Sequence, residues 1–251
     1  MQIDSSKIII TGAARGLGLA MARHLAATGA KLGLIDIEQA ALHEALSTLP
    51  GSGHHAHVAN VADEDQVDHA FDALADALSG IDAAVSNAGI TRDGLLVKVK
   101  DGKVVDRLSM DQWQQVLDVN LTGVFLCGRA AASHMIKQGS GGVIINISSI
   151  SKAGNFGQSN YSAAKAGVAA MAVTWARELA RYGIRTASVS PGFTRTELVA
   201  GMPEKAIARI TSQIPAGRLG EPDEIAATIR FILENDYISG RDFAVDGALR
   251  L

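Results

Sequence analysis

Short apolar runs rich in β-branched residues recur along this chain, each followed by a stretch of helical periodicity. Residues 7–10 (Lys-Ile-Ile-Ile) open the pattern. A continuous apolar run of this kind predicts a strand buried on both faces of a parallel sheet. Residues 31–35, 54–59, 81–86, 143–145, 184–190 and 243–245 are predicted strands on the same grounds. Between them, Leu19, Ala22, Leu25 and Ala26 repeat at helical spacing, as do apolar positions within 38–49, 64–78, 110–137, 161–182 and 222–233. Asp63 is placed to cap the helix at 64, and Pro222, Asp223 and Glu224 suit a first turn. Strand and helix alternate without a linker, which predicts the α/β class: one doubly wound domain over residues 1–251, built on a parallel sheet.

Two stretches depart from this alternation. Val97-Lys98-Val99-Lys100 and Lys103-Val104-Val105 flank Asp101-Gly102. Asp-Gly between alternating apolar residues predicts a β-hairpin over about 96–106, at the mouth of a site or on an oligomer surface; a plain exposed loop is the alternative. Residues 193–217 carry Gly201, Pro203, Pro215 and Gly217 around a short helical segment and read as a lid.

Composition narrows the class. Apolar residues make up 47 % of the 251 positions and aromatics only 4 %, so the core is packed with Ala, Val, Ile and Leu. The net charge of −3, with no basic block, argues against nucleic-acid or anionic-membrane partners. Cys127 is the one cysteine, so no intramolecular disulfide framework exists, and it reads as a small buried hydrophobe. No apolar run is long enough to span a bilayer and the first residues are polar, so a cytoplasmic location is expected. His55 and His57 share a strand face but lack acidic or cysteine partners, so no metal site is expected.

Candidate chemistry gathers at the ends of the predicted strands. Thr11-Gly12-Ala13-Ala14-Arg15-Gly16-Leu17-Gly18 joins strand to helix, the context of a phosphate loop. Glycines there let backbone amides approach a pyrophosphate at the helix N-terminus. Asp36 closes the second strand, where a carboxylate accepts both ribose hydroxyls of an adenosine and repels a 2′-phosphate. This favours NAD(H), while Arg15 could welcome the phosphate of NADP(H); the competing role for Asp36 is a helix N-cap. Asn87-Ala88-Gly89 ends the fourth strand with small residues suited to a flat ligand. Asn120 lies amid apolar helical positions, so its amide must bond backbone or water. Tyr161 and Lys165 are one helical turn apart, and a nearby cation favours the phenolate. Taken alone, such a pair is a common helix-surface accident. Ser148 follows the apolar 143–145 run, where a hydroxyl could hold a substrate oxygen while the phenol moves its proton. Pro191, Gly192, Thr194 and Thr196 follow another strand end, and the two threonines are candidates for an amide or phosphate contact.

Taken together and in this order, these motifs resemble the short-chain dehydrogenase/reductase family over essentially the whole chain. The resemblance rests on the Thr11–Gly18 loop, Asn87-Ala88-Gly89, Asn120, Ser148, Tyr161-x-x-x-Lys165 and Pro191-Gly192. It implies a Rossmann-type sheet of seven strands, a nicotinamide cofactor, interconversion of a secondary alcohol and a ketone, and a homotetramer or homodimer built on the long helices. It implies Tyr161 as general acid/base, and Lys165 to lower its pKa and bind the nicotinamide ribose. Ser148 would bond the reacting oxygen and Asn120 a water leading to Lys165. Gly12, Gly16 and Gly18 would line the pyrophosphate, Asp36 the adenosine ribose, Asn60 and Val61 the adenine, and residues 87–89 the neighbouring backbone. Asn155, Gly157, Gln158, Asn160, Thr91-Arg92-Asp93 and the 217–222 segment are most similar to 3-oxoacyl-[acyl-carrier-protein] reductases, so an acyl thioester is one expected substrate. The chain departs from them at Asp36, at Gly139 and Tyr182, where they carry basic residues, and in the 98–105 insertion.

Overall fold

The computed structural model describes residues 1–196, 199, 201 and 203–251. Seven strands pair in parallel in one sheet: β1 (Lys7–Thr11), β2 (Lys31–Asp36), β3 (His55–Val58), β4 (Ala83–Ser86), β7 (Gly142–Ile147), β8 (Ile184–Pro191) and β9 (Arg241–Val245), in the order β3-β2-β1-β4-β7-β8-β9. This is the doubly wound Rossmann-type architecture, and the order reverses between β1 and β4. A crevice opens there at the carboxyl ends of the strands.

The alternation of side chains along each strand feeds two apolar layers. Ile8, Ile10, Leu32, Leu34, Val85 and Ile145 face α1 (Gly16–Ala26), α2 (Gln39–Ser47) and the C-terminal helix. Ile9, Ile35, Ala84 and Ile144 face α3 (Glu64–Leu78) and α5 (Gly123–Gln138). Asp63 caps α3 through its carboxylate, which accepts from the Gln66 N–H at 3.0 Å.

The expected helix over 110–137 is broken in a specific way. α4 (Met110–Leu117) begins at a capping box between Ser109 and Gln112 and runs into one wide turn, Asp118–Thr122, before α5 continues. A wide turn of the i→i+5 type re-aims the side chains it carries. Here it carries the fully buried Asn120.

The hairpin forms as β5 (Val97–Lys100) and β6 (Lys103–Arg107). Asp101 and Gly102 both have positive φ, 50° and 72°, as a type I′ turn requires. The hairpin is rooted beside a bridge between Gly94 and Gln158, three residues before Tyr161. Within the expected lid over 193–217, residues 197, 198, 200 and 202 lie outside the described residues, and the short helix is α7 (Glu204–Gln213). The last helix, α8 (Pro222–Glu234), starts with Pro222 at its first turn.

His57 packs edge-on against His69, with ring centroids 5.2 Å apart. Among the described residues no group of three or more His, Cys, Asp or Glu is placed to hold a metal ion.

Candidate active site

At the carboxyl end of β1 the chain turns through Gly12 (φ +63°) and Gly16 (φ +55°) into α1. A Cβ on Gly12 would lie 2.7 Å from Ala88 Cα, and one on Gly18 would collide with the Gly12 carbonyl oxygen. Asn87 stitches the two loops together: its side-chain amide donates to the carbonyls of Thr11 and Gly12 at 3.1 and 3.0 Å. The Thr11 hydroxyl accepts from the N–H groups of Asn87 and Ala88, a role the motif reading did not assign to it. Arg15 precedes α1 in extended conformation and makes no side-chain cap, and the first turn holds no acidic residue. The opening N–H groups of α1, Leu17 and Gly18 among them, therefore have no capping side chain, the arrangement that suits an anion. Across the crevice, Thr196 Cγ2 comes within 4.0 Å of the Cβ position of Gly16.

Asp36 stands at the end of β2. Its Oδ2 accepts from the Ala14 N–H at 3.0 Å and its Oδ1 from the Glu38 N–H at 3.2 Å. The residue preceding α2 is Glu38, so Asp36 is not its N-cap; it fixes the glycine loop and keeps further lone pairs for a ligand. Asn60 bonds the Ala62 N–H, and the buried Val61 packs against Gly123. Gly192 pairs with the Val245 carbonyl beside Pro191, and Thr194, buried, bonds the Gly192 carbonyl. A pyrophosphate on the glycine loop and a ribose at Asp36 fit what these residues present.

The second half of the site lies on α6 (Ser159–Leu179) and the end of β7. Tyr161 and Lys165 project from one face of α6, and the Lys165 Nζ lies 5.6 Å from the Tyr161 ring centroid. The ammonium donates to the Ile147 carbonyl at 2.7 Å. Burial lowers the Lys165 pKa to about 8. Tyr161 differs from the expectation of a cation-depressed phenol. Burial pushes it above its ordinary value, the hydrogen bond with the Ser149 hydroxyl pulls it down, and the Asp93 carboxylate raises it. Desolvation of the phenolate outweighs the neighbouring ammonium.

The strand-end serines divide differently from expectation. The Ser148 hydroxyl is buried and donates to the Lys165 carbonyl at 2.8 Å, which fastens β7 to α6. Ser149, one residue on, is the serine beside the Tyr161 hydroxyl. Successive side chains at a strand end point to opposite sides, so one position decides which hydroxyl enters the site. The apolar run located the strand end without its last residue.

Asn120 uses both amide atoms on one backbone residue. Its Oδ1 accepts from the Ile90 N–H and its Nδ2 donates to the Ile90 carbonyl, each at 2.8 Å. This locks the segment after Gly89 onto the wide turn. Asn160 does a parallel job: fully buried, it donates to the carbonyls of Arg92 and Gln112 and accepts from the Tyr161 N–H.

The fold and this constellation have counterparts among known proteins. A family model described as enoyl-(acyl carrier protein) reductase matches residues 12–249. The chain belongs to the short-chain dehydrogenase/reductase family. It is an oxidoreductase of the type that interconverts secondary alcohols and ketones with NAD(P)(H). It is 43 % identical over 249 residues to a 3-oxoacyl-[acyl-carrier-protein] reductase of Synechocystis sp., covering 96 % of this chain and 95 % of that one. A (3R)-3-hydroxyacyl-CoA dehydrogenase of Canis lupus familiaris is 38 % identical over 262 residues, covering 99 % and 98 %. The crystal structure of a short-chain type dehydrogenase/reductase from Mycobacterium marinum superposes with a TM-score of 0.88 at 34 % identity, covering 98 % of this chain and 96 % of that one. Among the described residues no helix is long and apolar enough to cross a membrane.

Proposed function

We propose that this enzyme interconverts 3-hydroxyacyl and 3-oxoacyl thioesters, with NAD(H) as the preferred cofactor. The observation that carries this reading is the meeting of Tyr161, Ser149 and Lys165 at the strand ends, with Asp36 across the glycine loop. Both the 3-oxoacyl and the 3-hydroxyacyl relatives are named for thioesters oxygenated at the same carbon, which supports the substrate class.

A nicotinamide cofactor, when bound, supplies the acceptor or donor of hydride. The chain supplies the rest. In the oxidising direction the Tyr161 oxygen, as phenolate, takes the proton of the substrate hydroxyl as the C–H hydrogen leaves with its electron pair. In the reducing direction the same phenol returns the proton to the carbonyl oxygen. Ser149 donates a hydrogen bond to that oxygen in either direction and stabilises the charge that develops on it. Lys165 places a cation beside the phenolate as it forms. Asn120 and Asn160 hold the walls, Ile90 and Arg92, against the helix that bears Tyr161. Gly12, Gly16, Leu17, Gly18 and Arg15 would hold the pyrophosphate. Asp36, Asn60 and Val61 would hold the adenosine half. Asn87, Ala88, Gly89, Pro191, Gly192, Thr194 and Thr196 would hold the nicotinamide half.

The choice of NAD(H) follows from the Asp36 carboxylate, whose charge would repel a 2′-phosphate. A homotetramer or homodimer accords with the apolar Phe125 and Val173, which stand exposed on the long helices α5 and α6.

The test is the reduction of acetoacetyl-CoA by the purified protein, followed at 340 nm with NADH and with NADPH. Turnover with NADH that Tyr161→Phe abolishes is expected. No turnover with either cofactor would overturn the substrate class, and full turnover by Tyr161→Phe would overturn the proton-transfer role.

A further inference from the structure

Ser149 leaves β7 in extended conformation and starts a single tight turn, Ile150–Ala153, that ends at Gly154 with φ +110°. Its hydroxyl accepts from the Ser151 N–H at 3.1 Å, so the turn places its oxygen and leaves its proton free to donate. Within itself the turn has little to hold it: Lys152 N–H bonds the Ser149 carbonyl at 3.1 Å, and Gly154 N–H the Ser151 carbonyl at 2.9 Å.

The turn packs on α6, Ile150 joins a small apolar cluster, and a polar tie comes from the neighbouring strands β8 and β9. Lys152 reaches back from the turn and donates to Ser190 Oγ at 2.9 Å and to Asp242 Oδ2 at 2.5 Å. Asp242 lies on β9, directly across from Ser188 in the strand register. Its Oδ1 accepts from Ser188 Oγ at 2.6 Å and from Ser190 Oγ at 2.8 Å. Both serines are fully buried, and the lysine and aspartate side chains keep only 30 % and 19 % of their exposure. A Lys–Asp pair this far out of water is a weak source of stability, because its desolvation offsets most of its attraction. Its geometry is well defined, however, with three donors fixing one carboxylate and two acceptors fixing one ammonium. The sequence separations of 38 and 90 residues make it a tie between the turn and the β8–β9 edge, and not a local feature of the turn.

We propose that Lys152, anchored by Asp242, Ser188 and Ser190, is a positioning residue that holds the Ile150–Ala153 turn so that the Ser149 hydroxyl stays aimed at Tyr161. The proposal builds on the roles given to Ser149 and Tyr161 above. Ser148 secures the same strand end from the other side, through the Lys165 carbonyl, so the two ties bracket Ser149. The groups that face Tyr161 are Ser149, Lys165 and Asp93, and Lys152 acts through the first of them.

The test is a double-mutant cycle on kcat for acetoacetyl-CoA reduction, with Lys152→Met, Ser149→Ala and the two combined. Lys152→Met is expected to lower kcat about tenfold or more and to leave NADH binding, read by fluorescence, unchanged. Combined with Ser149→Ala it is expected to cost nothing further, since the group it positions is gone. Losses that multiply, or a Lys152→Met kcat equal to that of the wild type, would overturn the proposal. Asp242→Leu combined with Lys152→Met removes both charges and guards against a folding artefact: its melting temperature is expected to recover while kcat stays low. Recovery of kcat along with stability would show a merely structural pair. A readout without substrate separates this proposal from the assigned reaction. Ultraviolet difference titration, with Tyr161→Phe subtracted to isolate one of the three tyrosines, is expected to show Tyr161 ionising at higher pH in both Lys152→Met and Ser149→Ala. An unmoved titration in Lys152→Met beside a moved one in Ser149→Ala would overturn the positioning role whatever the substrate.

Discussion

The hydroxyl of Ser148 donates to the carbonyl oxygen of Lys165 at 2.8 Å, so this serine at the end of β7 is a fastener of α6. Ser149 is left as the hydroxyl at Tyr161. Ser149→Ala is therefore expected to lower kcat by roughly 10²–10³, the range for loss of one donor to a reacting oxygen. Ser148→Ala is expected to keep kcat within tenfold and to lose about 1 kcal/mol of stability from the missing buried hydrogen bond. Steady-state kinetics and thermal melts of the two variants side by side decide it; the reverse order of effects would return the role to Ser148.

Lys165 contributes a pH signature to stability. Burial lowers its pKa from 10.5 to about 8, so between those values the unfolded chain holds a proton that the folded chain has released. Stability from this group therefore rises with pH across that window, and the burial penalty is fully present below about pH 8. Lys165→Met removes the charge at similar volume. Its stability relative to the wild type is expected to be greatest near pH 7 and to shrink by about 1–3 kcal/mol by pH 9.5. Denaturant melts at the two pH values measure this, and a constant difference would show that Lys165 is not desolvated.

Asp36 is the proposed selector of the cofactor. Asp36→Ser keeps a small acceptor and removes the charge. NADH binding is expected to weaken about tenfold, about 1.4 kcal/mol, and NADPH binding to tighten. Fluorescence titration with both dinucleotides is the measurement. Unchanged preference would place the selection elsewhere, with Arg15 the first residue to examine.

Asn120→Ala leaves the N–H and C=O of Ile90 without their partner, because both amide atoms are committed there. Each partly buried orphan costs up to about 1–3 kcal/mol. For a chain of this size a fall in melting temperature on the order of 10 °C follows. Asn120→Asp, which retains the acceptor but not the donor, is expected to lie between the two; an Asn120→Ala melt at the wild-type temperature would mean that Ile90 finds other partners.

Much of the molecule was readable before any coordinate. Continuous Ile and Val runs marked buried parallel strands, and Asp101-Gly102 pointed to a hairpin, because both signals act within a few residues. Tyr161 and Lys165 share a face by helical geometry alone, and Gly12 and Gly16 marked a sharp turn after the first strand, where both have positive φ. Periodicity could not show the wide turn at Asp118–Thr122, since an i→i+5 turn leaves the apolar repeat nearly intact while rotating Asn120 toward Ile90.

The sequence by itself determined the layered α/β fold, the glycine loop between strand and helix, and the helical pair, because each follows from local spacing and backbone preference. Only the tertiary structure decided between Ser148 and Ser149, since a strand's exact end depends on the neighbour it pairs with. It also decided the direction of the Tyr161 pKa, which turns on burial from elements distant in the chain. The tie of Lys152 to Asp242 is of the same kind: 90 residues apart, they meet only because β9 lies beside β8.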